Sequence, residues 1–211
     1  MCSWLTQESW TSRRGLTKDG YELQFGVNYM SHALLVRRLL PLLERTATTQ
    51  PSADVRIIVL TSAAFRAGPI AFDKLKTVQN NFLLMGGIMR YGQSKLADLL
   101  LARELAERYP AILSVSVTPG MVATGLVRNH SAFKVGFSWL SAQLTQGGYI
   151  KTEEGAYSQL WCVAAPRDKI VPGVLYEPVG LLSKMSSKHS TDKNISKKLW
   201  EWTDAELKKW D

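Results

Sequence analysis

A phenol and an ammonium stand four residues apart in Tyr91-Gly92-Gln93-Ser94-Lys95, at the head of a leucine- and alanine-rich segment. On a helix, positions i and i+4 share a face, so the two side chains can act as one unit. A lysine's charge favours the phenolate and lowers a tyrosine pKa that starts near ~10. Tyr91 is therefore a candidate general acid/base near neutral pH. Upstream, the apolar run Ile57-Ile58-Val59-Leu60 ends in Thr61-Ser62. Open parallel sheets bind ligands outside the carboxyl ends of their strands, which places Ser62 well. Taken alone, a serine at a strand end is more often a turn residue. Asn28 lies inside a helical pattern, where asparagine is mildly unfavourable. It is there for its side chain or is a plain surface residue. His32, one turn later, reads as a packing or surface residue.

Elements that could position these groups follow in order. Thr17-Lys18-Asp19-Gly20 reads as a turn, and a helix begins near Tyr21 or Glu22. Apolar residues at helical spacing carry it from Leu23 to Leu43, with Pro41 expected to kink its end. Thr46–Ala53 reads as a polar loop. Val55–Leu60 is a β-branched run, the pattern of a fully buried strand. A long connection from Ala63 to Arg90 carries Gly68-Pro69 and Gly86-Gly87, and a connection of that length usually has function or structure of its own. A helix beginning near Arg90 runs to Tyr109, where Pro110 ends it. Leu113–Thr118 reads as a second strand running into Pro119-Gly120, and Gly120 lets a ligand approach the backbone. The stretch from Leu126 to Ile150 is loosely helical, either a lid over an apolar substrate or a helix packed on the core. Thr152 opens a helix reaching Pro166. Val174-Leu175-Tyr176 is a third strand, Ser183–Thr191 a polar linker and Asn194–Lys209 an amphipathic terminal helix.

Composition narrows the function classes. The chain has 211 residues, long enough for one domain with a real core. The net charge of +8 invites a nucleic-acid reading, but the basic residues are spread along the chain. The last 29 residues hold seven lysines against five acids, an excess of only two. A solvated basic surface is the better account. No apolar run approaches the ~18–20 residues of a membrane span. Met1–Arg14 lacks the apolar core of a signal peptide, so a cytoplasmic protein is expected. Two cysteines make no disulfide framework, and Cys162 sits among apolar neighbours as a small buried hydrophobe. Three scattered histidines and no Cys/His cluster leave no metal site to argue for.

Six stretches in this order resemble the short-chain dehydrogenase/reductase family. They are Asp19 to Asn28, Arg56–Ser62, Tyr91 to Ala97, Pro119 to Thr124, Tyr176 to Gly180 and Leu199 to Thr203. The likeness is to its retinol-dehydrogenase-like members and to reductases of fungal secondary metabolism, and it runs from about Leu16 to the C-terminus. The 29 positions from Ser62 to Tyr91 fit the retinol-dehydrogenase-like group. The resemblance implies NAD(P)-dependent interconversion of a carbonyl and an alcohol on a small apolar substrate, with NADP favoured over NAD. By it Asn28, Ser62, Tyr91 and Lys95 match the catalytic tetrad. Ser62 would hydrogen-bond the substrate oxygen, Tyr91 would exchange its proton, Lys95 would favour tyrosinate and hold the ribose, and Asn28 would fix a relay water. Pro119, Gly120, Val122 and Thr124, with Tyr91 and Lys95, match cofactor-binding positions. Met121, Leu126, Phe133 and Phe137 are the substrate-side candidates.

The family's glycine-rich turn, which seats the cofactor pyrophosphate at a helix N-terminus, has no counterpart here. Nor is there an NNAG motif. The resemblance thus implies an α/β fold that is the C-terminal part of a Rossmann-type doubly wound parallel sheet. Its strands match 5-6-7 of the family, and the first half is missing. Residues 1–15 form a divergent segment and 16–211 a single partial domain. Val55–Leu60 would become an edge strand needing cover. Cofactor binding by the chain alone is expected to be weak or absent. The alternative is a truncated, inactive relative that acts as an interaction partner. In either case a homodimer, or pairing with a full-length relative, would use helices 22–45 and 90–109.

Overall fold

The apolar runs form the centre of a parallel sheet. In a computed structural model, residues 2–3, 14–50, 52–80, 86–122 and 149–210 are described. The strands of the sheet are β1 (Cys2–Ser3), β2 (Arg56–Leu60), β3 (Leu113–Val117), β6 (Leu175–Glu177) and β7 (Leu181–Leu182). They lie in the order β1-β2-β3-β6-β7. The β1–β2, β2–β3 and β3–β6 pairs are parallel, and β7 is antiparallel to β6. Two short strands, β4 (Met121–Val122) and β5 (Tyr149–Ile150), pair separately. The β2-β3-β6 segment is the expected contiguous parallel piece.

β2 is not an edge strand, contrary to expectation. Cys2 pairs with Arg56 and Ser3 with Ile57, so the start of β2 is hydrogen-bonded on both sides. A two-residue strand has no periodicity by which sequence could reveal it. β7 was likewise unforeseen, and it follows a turn through Gly180 at φ +70°, a conformation glycine adopts without steric cost.

Side chains alternate across the sheet. Ile57 and Val59 point to one core with the long helices, while Ile58, Val115 and Val117 point to another containing Cys162 and Tyr176. Each fully buried aliphatic side chain of this kind contributes about 1.5–3 kcal/mol. The first helical stretch comprises α1 (Leu23–Phe25), a π-helical turn (Gly26–Met30) and α2 (Ser31–Thr49). Pro41 neither ends it nor marks its last turn, since the helix continues from Leu42 to Thr49. Pro41 is exposed, so water can reach the carbonyl that its missing N–H leaves open. The predicted Thr46 loop begins as helix, because the hydroxyls of Thr46, Thr48 and Thr49 bond back to the carbonyls of Leu42, Glu44 and Arg45.

The long connection contains 3-10 turns at Ala63–Ala67 and Phe72–Lys74, and α3 (Gly86–Arg108) starts earlier than Arg90. α4 (Tyr157–Ala164) covers the other face of the sheet. Arg56, at the start of β2, closes the C-terminal end of α4 by donating to Cys162 O at 2.7 Å and Ala165 O at 2.8 Å. α5 (Lys193–Leu207) lies across the helices expected to mediate pairing. Trp202 on α5 meets Tyr21 and Phe25 edge-on, and Trp200 packs against Tyr109. The Tyr29 hydroxyl lies 2.6 Å from Thr203 Oγ1. Among the described residues no helix is long and apolar enough to cross a membrane.

Candidate active site

Lys95 is fully buried, and its two ends stitch α3 to the end of β2. Its ammonium donates to Leu60 O at 3.0 Å and to Asp98 Oδ2 at 3.1 Å. Its backbone carbonyl accepts from Thr61 Oγ1 at 2.7 Å. These bonds fix the strand end against the helix turn that carries Tyr91. The Lys95 ammonium sits 5.8 Å from the centre of the Tyr91 ring. The i, i+4 face read from sequence thus holds a phenol and a cation side by side, with Tyr91 half-buried.

Ser62 follows the strand in extended conformation and caps the first 3-10 turn, its Oγ accepting from Ala64 N at 3.3 Å. That turn lies on α3 at Gly92. A β-carbon on Gly92 would stand 2.4 Å from Ala64 O and 2.8 Å from Ala67 Cβ. Glycine beside Tyr91 therefore allows the Ser62 turn to dock directly on the helix. Two further ties hold the start of α3. Buried Arg90 pairs with buried Glu22, Nε to Oε1 3.3 Å, and Gln24 Nε2 donates to Gly87 O at 3.1 Å. Burial pushes the Glu22 carboxyl up, against the lowering effects of backbone hydrogen bonds and Arg90. Gln93 accepts from Ala71 N at 2.9 Å and so holds the long connection to α3.

Asn28 is fully buried in the π-helical turn, which settles the choice left open by the sequence. Such single turns occur often at functional sites. Asn28 Nδ2 donates to Ser94 Oγ at 3.0 Å, and Ser94 Oγ donates to Tyr91 O at 2.8 Å. Asn28 is thereby linked to the backbone of Tyr91 itself. His32 is buried behind it. Burial, with help from the Lys95 charge, lowers its pKa to about 4, opposed by a hydrogen bond with the Asn28 backbone. It is therefore neutral at pH 7.

Pro119 and Gly120 lie half-buried just past β3, and Gly120 adopts φ +80°. Because β2 and β3 are parallel and in register, with Leu60 opposite Val117, this turn and Ser62 leave the same edge of the sheet. Val122 is half-buried in β4, and Met121 belongs to the same strand. Thr124, Leu126, Phe133 and Phe137 lie outside the described residues, as does most of the predicted lid segment. A hydroxyl, a phenol and an ammonium at one sheet edge, beside a glycine turn, form a donor set that fits the ribose and nicotinamide end of a dinucleotide. Sequence reasoning passed over Asp98, the anionic partner of Lys95. Its one signal is a carboxylate inside a leucine-rich helix, three residues after the lysine.

An α/β fold with a mostly parallel sheet of this kind is Rossmann-type. No family model matches the chain. It is 35% identical to a short-chain dehydrogenase/reductase of Armillaria gallica over 196 residues, 92% of this chain and 60% of that protein. It is 32% identical to retinol dehydrogenase 14 of Homo sapiens over 192 residues, 88% of this chain and 52% of that protein. The solved structure of an uncharacterised protein from Mycobacterium paratuberculosis superimposes with a TM-score of 0.67 at 21% identity. That match covers 97% of this chain and 65% of the other, and carries the fold. Over about nine-tenths of its length the chain is similar to curated short-chain dehydrogenase/reductases. It spans 60% and 52% of the length of the two curated relatives.

Proposed function

We propose that the chain takes part in NAD(P)-dependent interconversion of a carbonyl and an alcohol on a small apolar substrate, of the kind handled in secondary metabolism. The observation that carries this reading is the Lys95 ammonium, held beside the Tyr91 ring by a strand carbonyl and a buried carboxylate. Tyr91 gives a proton to the substrate oxygen or takes one from it. Ser62 orients that oxygen, and Lys95 favours the phenolate and holds the ribose hydroxyls. Asn28, through Ser94, keeps the Tyr91 turn in place and stands on the path by which Lys95 exchanges protons with solvent. A dinucleotide held there, with NADP preferred to NAD, would supply or accept the hydride. Pro119, Gly120, Val122 and Thr124 are the positions proposed to contact the nicotinamide end of the cofactor, and Met121, Leu126, Phe133 and Phe137 those proposed to contact the substrate.

A cytoplasmic location goes with this reading. Pairing with a second copy or a full-length relative would use the faces of α2 and α3 that α5 leaves open, where Leu35 and Leu42 are exposed.

The test is turnover of an aldehyde and ketone panel with NADPH and with NADH. General acid/base catalysis contributes roughly 10²–10⁴-fold, so Tyr91→Phe should lose turnover by about that factor. Absence of turnover, together with no cofactor binding below millimolar concentration, would instead favour the inactive interaction partner.

A further inference from the structure

The carboxylate of Asp98 has no place in the four-residue constellation described above, yet it touches the ammonium on which that constellation depends. Lys95 and Asp98 both have fully buried side chains, 3.1 Å apart. A buried ammonium without a counter-charge is costly, and a carboxylate in hydrogen-bond contact offsets that cost. The same contact has a second effect. A negative charge beside Lys95 reduces the positive field felt by the Tyr91 ring, 5.8 Å away.

We infer that Asp98 is a positioning residue that fixes the Lys95 ammonium against the end of β2 and moderates its action on the Tyr91 phenol. Its role is to act through Lys95 and not on substrate. The inference rests on the proposed pairing of Tyr91 with Lys95. Among the described residues, His32, Tyr29 and Glu104 are ionisable groups that act on this cluster. His32 faces Lys95 from α2 and is held neutral by burial. Tyr29 feels Asp98 and Glu104, and burial keeps its phenol protonated. Glu104 is engaged by Arg108 at 2.7 Å. Strand β2 meets the cluster through the Leu60 carbonyl.

Asp98→Asn separates charge from shape, since an amide oxygen can accept the same hydrogen bond from Lys95. The readout is the phenolate absorbance of Tyr91 against pH, isolated by subtracting the matching Tyr91→Phe spectra in the parent and the variant. It needs no turnover, so an inactive chain leaves the experiment intact, and the inference can fail while the catalytic reading stands. Without the carboxylate that opposing charge is removed and the ammonium acts on the phenol more strongly. The Tyr91 midpoint should fall by about one pH unit, a tenfold change in proton affinity. A purely structural role would leave it in place. An Asn variant with a native melting transition and a midpoint that stays or rises overturns the inference. If that variant does not fold, Asp98→Ser is read with the same two outcomes.

Discussion

Gly92 and Ala64 approach so closely that a β-carbon on the glycine would lie 2.4 Å from the Ala64 carbonyl oxygen. The obstacle is backbone on one side and a helix on the other, so neither can yield cheaply. Ala64 is also the residue whose N–H bonds Ser62 Oγ. Gly92→Ala should therefore push the Ser62 turn off α3. Overpacking of this kind costs about 1–3 kcal/mol, or roughly 3–10 °C in melting temperature for a chain of this size. Any turnover of the proposed kind should fall by more than tenfold, because small misplacements of a reacting group are expensive. Gly15→Ala is the control, as nothing lies within 4 Å of a β-carbon there. Equal melting temperatures for the two variants would refute the packing argument.

Much of this arrangement was legible before any coordinates. Ile57–Leu60 of β2 and the whole of β3 are unbroken apolar or small runs because both faces of the central sheet are covered, and such strands need no alternation. α3 is legible because leucines recur around it and a proline stops it. Other features left no trace. β1 is two residues long and exists through backbone pairing alone. Pro41 signals a helix end by local chemistry, but its exposure lets the helix continue. Asp98 is the instructive miss. A carboxylate three residues from a lysine on a helix is the ordinary pattern of a solvated face. Only the packing of α3 against β2 turns that pair inward.

The Tyr29–Thr203 hydrogen bond is the second expectation. Both groups are buried, and the bond ties α5 to the helix that carries Asn28. Thr203→Val strands the Tyr29 hydroxyl without a partner, a loss of about 1–3 kcal/mol. Tyr29→Phe alone leaves the threonine hydroxyl in the same position. The double variant removes both polar groups and should cost less than the two single losses added together. Urea unfolding of the four proteins measures the coupling, and strict additivity would show that the pair does not interact.

Cys162 provides a test of the second core. It is fully buried between α4 and the sheet, and burial pushes its thiol pKa up to about 11, against the lowering effect of Arg56. The thiolate is the reactive form, so Cys162 is both uncharged and inaccessible. In a Cys2→Ser background, a disulfide reagent at pH 8 should modify it roughly a thousand times more slowly in native protein than in guanidinium, because reaction waits on opening. Rapid native labelling would mean that α4 does not stay on the sheet.

His32 makes stability depend on pH, and the sign can be worked out. In the unfolded chain its pKa is 6.5, and in the fold burial and the Lys95 charge lower it to about 4. Above pH 6.5 the residue is neutral in both states and contributes no pH dependence. As pH falls through 6.5 the unfolded chain takes up a proton that the folded protein refuses. Stability is therefore lost progressively from pH 6.5 down to about pH 4, where the folded protein at last accepts the proton. Each pH unit within that window is worth about 1.4 kcal/mol, so the loss between pH 7.5 and 5 should be about 2 kcal/mol. Other groups titrate over the same range; Glu22, whose carboxyl is pushed up by burial, acts in the opposite direction. The measurement is therefore a difference: urea unfolding of the parent and of His32→Gln at pH 7.5 and 5. The variant should lose about 2 kcal/mol less than the parent on acidification, whatever its stability at pH 7.5. Equal losses in the two proteins would mean that the imidazole is not held neutral behind Asn28.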